Sequence, residues 1–283
     1  MGDAFGECFF SLHGNLKGTL EARVLPRAPW YYTDDTIMAL AIVEVLEECG
    51  AIDQDLLARV FLGKYKMAPG RGYGPGTHRL FRSLTEGEDW ASASNDSFGG
   101  VGSLGNGGAM RVAPLGAYYS GEPERASAEA ERSCVVTHSH PEGIAGAIAV
   151  AVAASLATEL TSGVKLLAEV ARHTPPGKVA EGLAMAQGIS LNTSVGEAAR
   201  VLGNGSNVTA ADTVPFTVWS AAKYLGKFEE AMWGTVSVLG DRDTTCAIVG
   251  GIVANSIGGN SIPASWYQAR EALGLFSKVG LDA

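Results

Sequence analysis

The spacing of apolar residues constrains this chain more than any other feature. From Ile37 onward they recur at intervals of three and four, the period of a helix with one buried face. Ile37, Met38, Ala41, Ile42, Val45, Leu46 and Cys49 form one such stripe, with Glu44, Glu47 and Glu48 opposite and Gly50 as the stop. The same pattern predicts helices over 55–65, 124–136, 142–157, 164–173, 179–190, 195–202, 215–225, 228–238, 244–256 and 264–273. No run of alternating β-branched residues competes with it. The exception is 68–108, which is dense in glycine and proline and reads as a long helix-poor segment of the kind that carries function. No repeat and no linker-like change of composition divides the chain, so the expected fold is a compact all-α single domain over 1–283.

Charge and composition exclude several classes. Lys and Arg number 21 against 30 Asp and Glu, a net charge of −9, and no basic run is present, so an extended nucleic-acid surface is not expected. The longest apolar stretch, 144–157, falls short of the roughly 18–20 residues a membrane span requires. The opening residues carry neither a basic flank and apolar core nor a myristoylation serine or threonine. Cys8, Cys49, Cys134 and Cys246 lie far apart and read as reduced core thiols, and the expected compartment is cytoplasmic. The 37 glycines among 283 residues are nearly twice the usual share of roughly 7%, and many fall in the helix-poor segment.

Two aspartate pairs stand at helix starts. Thr33-Asp34-Asp35-Thr36 precedes the first amphipathic stripe, and Asp241-Arg242-Asp243-Thr244 precedes another late in the chain. Each alone reads as an N-cap with acids favoured by the helix dipole. Together they also read as one set of carboxylate and hydroxyl oxygens suited to Mg²⁺ or Mn²⁺ rather than zinc. Four carboxylates carry enough charge for two such ions roughly 4 Å apart, an arrangement that activates water and holds a leaving oxygen. The glycine-rich run 97–108 lacks a Walker lysine, but its closely spaced amides could converge on an anion as a nest, or simply form turns.

Five co-linear motifs carry a resemblance: Gly2-Asp3-Ala4-Phe5-Gly6, the segment 33–39, the segment 105–114, Thr137-His138, and Gly240-Asp241-Arg242-Asp243-Thr244. In order and over nearly the whole chain they resemble the ADP-ribosylglycohydrolase family. The resemblance implies an all-α fold with a two-metal site, using two Mg²⁺ or Mn²⁺ ions, that hydrolyses the bond between ADP-ribose and a modified side chain. It implies Thr33, Asp34, Asp35, Asp241, Asp243 and Thr244 as metal ligands, with Asp35 and then Asp34 as the catalytic carboxylates. It further implies Gly102, Ser103, Leu104 and Asn106 against the diphosphate and distal ribose, Phe98 near the adenine, and His138 as a ligand contact. For His138 and His140 the structural alternative is capping of the helix near Glu142, and Arg242 reads either as an ion-pair partner beside the ligands or as a solvent-facing side chain.

Three departures from the family pattern are visible. The chain begins at the Gly-Asp motif, where the family extends its first helix upstream, so a shortened N-terminus is the expectation. Leu239 replaces a glycine before Gly240-Asp241, and Phe10 occupies the place of a glutamate found in some serine-type members, so serine specificity gains no support. The substrate expected is an ADP-ribosylated protein, through arginine or serine, or a small molecule. The competing functions are a non-catalytic ADP-ribose-binding or crystallin-like homologue, and another two-metal hydrolase of a phosphoester or N-glycoside.

Overall fold

The computed structural model describes residues 1–11, 16–257 and 262–274. Among the described residues it is helical, with no β-strand and two isolated bridges, Trp30 to Arg270 and Gly105 to Thr209. In chain order the helices are α1 (Gly2–Glu7), α2 (Leu16–Glu21), α3 (Asp34–Cys49), α4 (Gln54–Met67), α5 (Pro75–Thr85), α6 (Trp90–Gly100), α7 (Gly107–Met110) and α8 (Ala113–Tyr118). They continue as α9 (Pro123–Val135), α10 (Pro141–Leu156), α11 (Gly163–His173), α12 (Lys178–Gly188), α13 (Val195–Leu202), α14 (Ala210–Lys223), α15 (Phe228–Val236), α16 (Arg242–Ile257) and α17 (Ala264–Ala269).

The centre is α10. Its sequence is alanine and valine with almost no polar side chain, so it has no solvent face, and residues 145–156 are all buried. Helices α7, α8, α9, α11, α14 and α16 surround it. Small residues let them approach: a Cβ on Gly116 would lie 2.3 Å from the Ala151 carbonyl oxygen, and one on Gly146 would lie 2.7 Å from Ala210 Cβ. Trp219 and Trp266 are core residues.

The segment 68–108 departs from its expected helix-poor character. It contains α5, α6 and the start of α7, joined by loops, and α6 is itself kinked, with non-helical backbone at Ser97, Phe98 and Gly99. Pro75 starts α5 at a position where its missing N–H costs nothing, and Asp89 caps α6 by accepting from Ala91 and Ser92 amides at 3.0 and 3.2 Å. Serine, asparagine and glycine give α6 poor intrinsic propensity. Tertiary contacts compensate: Trp90 donates to Asp55 at 2.7 Å, and buried Ser94 donates to the Val135 carbonyl at 2.7 Å. Pro215, expected to begin a helix, instead lies inside α14, which Thr209 caps six residues before the proline. Among the cysteines, Cys134 and Cys246 are buried and Cys8 is half-buried, but Cys49 is exposed at the end of α3 and is not a core thiol.

Helix α1 is short and no apolar stripe announces it, yet it organises one end of the molecule. Phe5 stacks on Trp266 at 4.7 Å and meets Phe9, Trp30 and Trp233 edge-on at 5.0, 5.7 and 5.1 Å. The opposite face of α1 carries Gly2 and Gly6 and lies against the first turns of α16, where a Cβ would come within 2.0 Å of the Cys246 oxygen and 2.1 Å of the Arg242 oxygen. Only hydrogen fits there. Gly250 and Gly251 on α16 serve the same end, with Gly250 facing Gly2 and Gly251 facing Ala113.

Candidate active site

Close packing of α1, α3 and α16 gathers aspartates that are about two hundred residues apart in sequence. Asp34 and Asp35 open α3, while Asp241 and Asp243 flank the start of α16. Asp3 comes between them from the first turn of α1 and is almost fully buried. Its carboxylate accepts from the Thr33 amide at 3.0 and 3.2 Å, from Thr33 Oγ1 at 3.0 Å, from the Thr36 amide at 3.1 Å and from Thr36 Oγ1 at 2.5 Å. Asp3 therefore fixes the N-terminus of α3 to α1. The Gly-Asp motif signalled it in the sequence, but its partners 30 residues away could not be read there.

Capping and site formation coincide at Thr33. Its Oγ1 accepts from the Asp35 amide at 3.3 Å and lies 3.2 Å from Asp35 Oδ2. On the other side, Asn106 Nδ2 donates to Asp241 Oδ2 at 2.7 Å and to Thr213 Oγ1 at 3.0 Å. Both amide protons of Asn106 thus point to protein, and its place is beside Asp241 as a support. Asn204 grips the same loop: its carbonyl accepts from the Asp241 amide at 3.2 Å, and its Nδ2 donates to the Val238 carbonyl at 3.0 Å. Thr244 is buried behind Asp243.

The electrostatics follow from burial and crowding. Burial first, then Asp3 and Asp241, push the Asp34 carboxyl up to about 7. Burial first, then Asp241 and Asp3, push Asp243 up to about 8. Asp35 is raised well above the ordinary carboxylate range by burial and by Asp243, Asp3, Asp34 and Asp241 in turn. Two oxygens in this cluster, Asp35 Oδ1 and Asp243 Oδ1, are buried without a hydrogen-bond partner. Such atoms are costly unless a cation or proton meets them. Among the described residues no three His, Cys, Asp or Glu side chains already stand in metal-cage geometry.

Arg242 takes neither of the positions expected for it. Its guanidinium lies 4.2 Å from the Phe10 ring centroid and donates to the Phe9 carbonyl at 3.1 Å. Leu239, where a glycine was expected, adopts a left-handed φ of 61°.

The glycine-rich loop lies beside the aspartates, through Asn106. Phe98, Gly99, Gly100 and Gly102 all have positive φ, and Phe98 is 55% exposed with Arg79 over its ring at 5.6 Å. Leu104 is exposed and Ser103 is buried. Several of the glycines are required by the 134–140 segment. A Cβ on Gly102 would lie 2.4 Å from Ser139 Oγ, one on Gly107 would lie 2.8 Å from His138 Nε2, and one on Gly108 would lie 2.4 Å from Cys134 Sγ. His138 is buried against this loop, its pKa lowered to about 3 by burial and by Arg111, so the ring is neutral. His140 is the capping histidine, its Nδ1 accepting from the Glu142 amide at 3.0 Å. His78 pairs with Tyr65 and His173 with Glu124, whereas His13 lies outside the described residues.

Comparison with known proteins identifies the family. The family model for ADP-ribosylglycohydrolase matches residues 1–279. A mouse protein named ADP-ribosylhydrolase ARH3 is 30% identical over 274 residues, covering 85% of this chain and 73% of its own, and the human protein of that name is 29% identical over 279 residues, covering 85% and 75%. An uncharacterised protein of Archaeoglobus fulgidus is 30% identical over 279 residues, covering 95% and 87%. A solved structure titled ADP-ribosylglycohydrolase-related protein complex superposes with a TM-score of 0.69 at 22% identity, over 98% of this chain and 90% of that one, and shares the fold. Among the described residues no helix is long and apolar enough to cross a membrane. The motifs read from the sequence and the match along nearly its full length lead to one conclusion: the chain belongs to the ADP-ribosylglycohydrolase family, whose members hydrolyse ADP-ribose linkages.

Proposed function

We propose that this chain is a Mg²⁺- or Mn²⁺-dependent hydrolase that cleaves the glycosidic bond joining ADP-ribose to an arginine or serine side chain or to a small molecule. The observation that carries the reading is the pair of buried, unpartnered oxygens, Asp35 Oδ1 and Asp243 Oδ1, inside a cluster of mutually repelling aspartates. This donor set fits hard divalent cations, with Thr33, Asp34, Asp35, Asp241, Asp243 and Thr244 as the residues that would hold them. Bound there, two such ions would supply charge to activate the attacking water and to hold the ribose hydroxyls beside C1″.

The protein's own groups do the rest. Asp35 is the first choice to take the proton from water, because Asp243, Asp3, Asp34 and Asp241 all lie around it and its Oδ1 has no hydrogen-bond partner among the described residues. Asp34 is the second. Asn106 and Asn204 keep Asp241 oriented, and Asp3 keeps Thr33 and the start of α3 in place. The positive-φ turn at Phe98, Gly99, Gly100 and Gly102 would line the diphosphate, with Ser103 and Leu104 beside it, Phe98 toward the adenine and His138 below the loop. The test is incubation with ADP-ribosylarginine and ADP-ribosylserine peptides in Mg²⁺ or Mn²⁺, reading free ADP-ribose. Release that requires the cation is expected; no release from either linkage overturns the proposal.

A further inference from the structure

Arg111 is fully buried, and among the described residues none of its hydrogen bonds goes to a carboxylate. Its guanidinium stacks on Phe61 at 4.5 Å and donates to Thr137 Oγ1 at 2.8 Å and, more weakly, to the Ser133 carbonyl at 3.3 Å. Burial lowers its pKa to about 10, so it remains a cation at neutral pH. A guanidinium has only donors to offer. Thr137 Oγ1 must therefore accept from Arg111.

The same hydroxyl lies 2.7 Å from His138 Nδ1. Thr137 is buried, and Arg111 and His138 are its only side-chain hydrogen-bond partners among the described residues. If Nδ1 carried the proton, the hydroxyl would accept twice and its own proton would be stranded, at a cost of about 1–3 kcal/mol. If Nδ1 is bare, the hydroxyl donates to it, and the one imidazole proton left over belongs to Nε2, which among the described residues is not one of the buried, unpartnered side-chain atoms and so can meet solvent or a ligand. Nε2 has no hydrogen-bond partner among the described residues and lies beside Gly105 and Gly107. The point where a Gly105 Cβ would stand is 3.3 Å from His138 Nε2 and 3.2 Å from Ser103 Oγ, so two polar groups face one small space at the glycine loop.

We propose that Arg111 and Thr137 are positioning residues that order the protons of this chain so that His138 presents a neutral Nε2–H donor to an acceptor oxygen of the ligand at the glycine loop. The neutrality matters for discrimination. A neutral donor pairs with a phosphate oxygen at any physiological pH, whereas the Nδ1–H tautomer would turn a lone pair toward that oxygen and repel it, pairing only with a ligand hydroxyl that donates. The statement about the ligand rests on the reading of the glycine loop as an ADP-ribose site; the statement about the tautomer does not.

The experiment is long-range ¹H–¹⁵N correlation of the histidine side chains, with the His138 signals assigned by their loss in His138→Gln, together with calorimetric titration of ADP-ribose. The wild type and Thr137→Ser should show the Nε2-protonated pattern, unchanged between pH 5.5 and pH 8. Thr137→Val should shift His138 toward a tautomer mixture and weaken ADP-ribose binding about tenfold, the worth of one neutral hydrogen bond, with Thr137→Ser restoring it. An Nδ1-protonated or imidazolium pattern in the wild type overturns the relay, and so does a valine variant with unaltered spectrum and affinity. If Thr137→Val does not fold, the wild-type spectrum decides alone. An Nε2–H spectrum in a protein that binds no ADP-ribose supports the relay and overturns the ligand reading instead.

Discussion

Replacing Asp34 by asparagine should separate the folding cost of the aspartate cluster from its use. In the protein freed of divalent ions, Asp34 is pushed up to about 7, chiefly by burial and then by Asp3, whereas in the unfolded chain it returns to about 3.8. Between those values the native state holds a proton that the unfolded state has released, so wild-type stability falls as pH rises through that window. At 1.36 kcal/mol per pH unit, the interval from 3.8 to about 7 is worth about 4 kcal/mol. Asparagine carries no charge to bury and has no such slope. Measured by urea denaturation in EDTA, Asp34→Asn should gain on the wild type progressively from pH 4 to pH 7, reaching a difference of about 4 kcal/mol. His138, held at about 3, titrates in the same range with the opposite sign, since its loss of stability comes as pH falls. It is common to both proteins and cancels in the difference. With saturating Mg²⁺ or Mn²⁺ at pH 8 the order should reverse, because the cation stabilises only the protein that binds it. A difference between the two proteins that stays flat from pH 4 to pH 8 in EDTA would refute the crowding argument.

Three further outcomes follow from the same geometry. Asp35→Asn should abolish release of ADP-ribose while far-ultraviolet circular dichroism stays unchanged, since the residue sits at a helix start that Thr33 still caps. Gly6→Ala would place a methyl group 2.1 Å from the Arg242 carbonyl oxygen, forcing α1 away from α16. A loss of about 1–3 kcal/mol in denaturation experiments is expected, with a loss of activity as Asp3 is dragged off Thr33. Leu239→Gly should relieve a left-handed leucine that is 38% exposed and outside the core, raising stability by about 0.5–1 kcal/mol after the glycine's larger unfolded-state entropy is counted.

The helices and their caps were legible because they are local. Thr33 before Asp34 and Asp35, the apolar stripe of α3 and the all-apolar run of α10 declare themselves within one or two turns, and all three form where the pattern puts them. Helices α5 and α6 were not legible, because glycine and proline mark turns unless a distant partner holds them. For α6 the holders are Asp55 and Val135, 35 and 41 residues away. The glycine excess was legible as a number and misleading as a place. In sequence it suggested a loop open to a ligand, whereas Gly2, Gly6, Gly102, Gly107 and Gly108 owe their identity to backbone or side chains that press against them.

The same division holds at the site. Sequence alone determined that two acid-rich helix starts exist and that the chain matches one family from end to end. The tertiary structure decided what each residue does there: Asp3 ties α1 to α3, Asn106 supports Asp241, Arg242 rests on Phe10, and Arg111 reaches His138 through Thr137. The physical reason is range. Helical periodicity and capping depend on neighbours within four residues, whereas a proton's position or a buried carboxylate's charge depends on whatever atoms packing brings within a few ångströms.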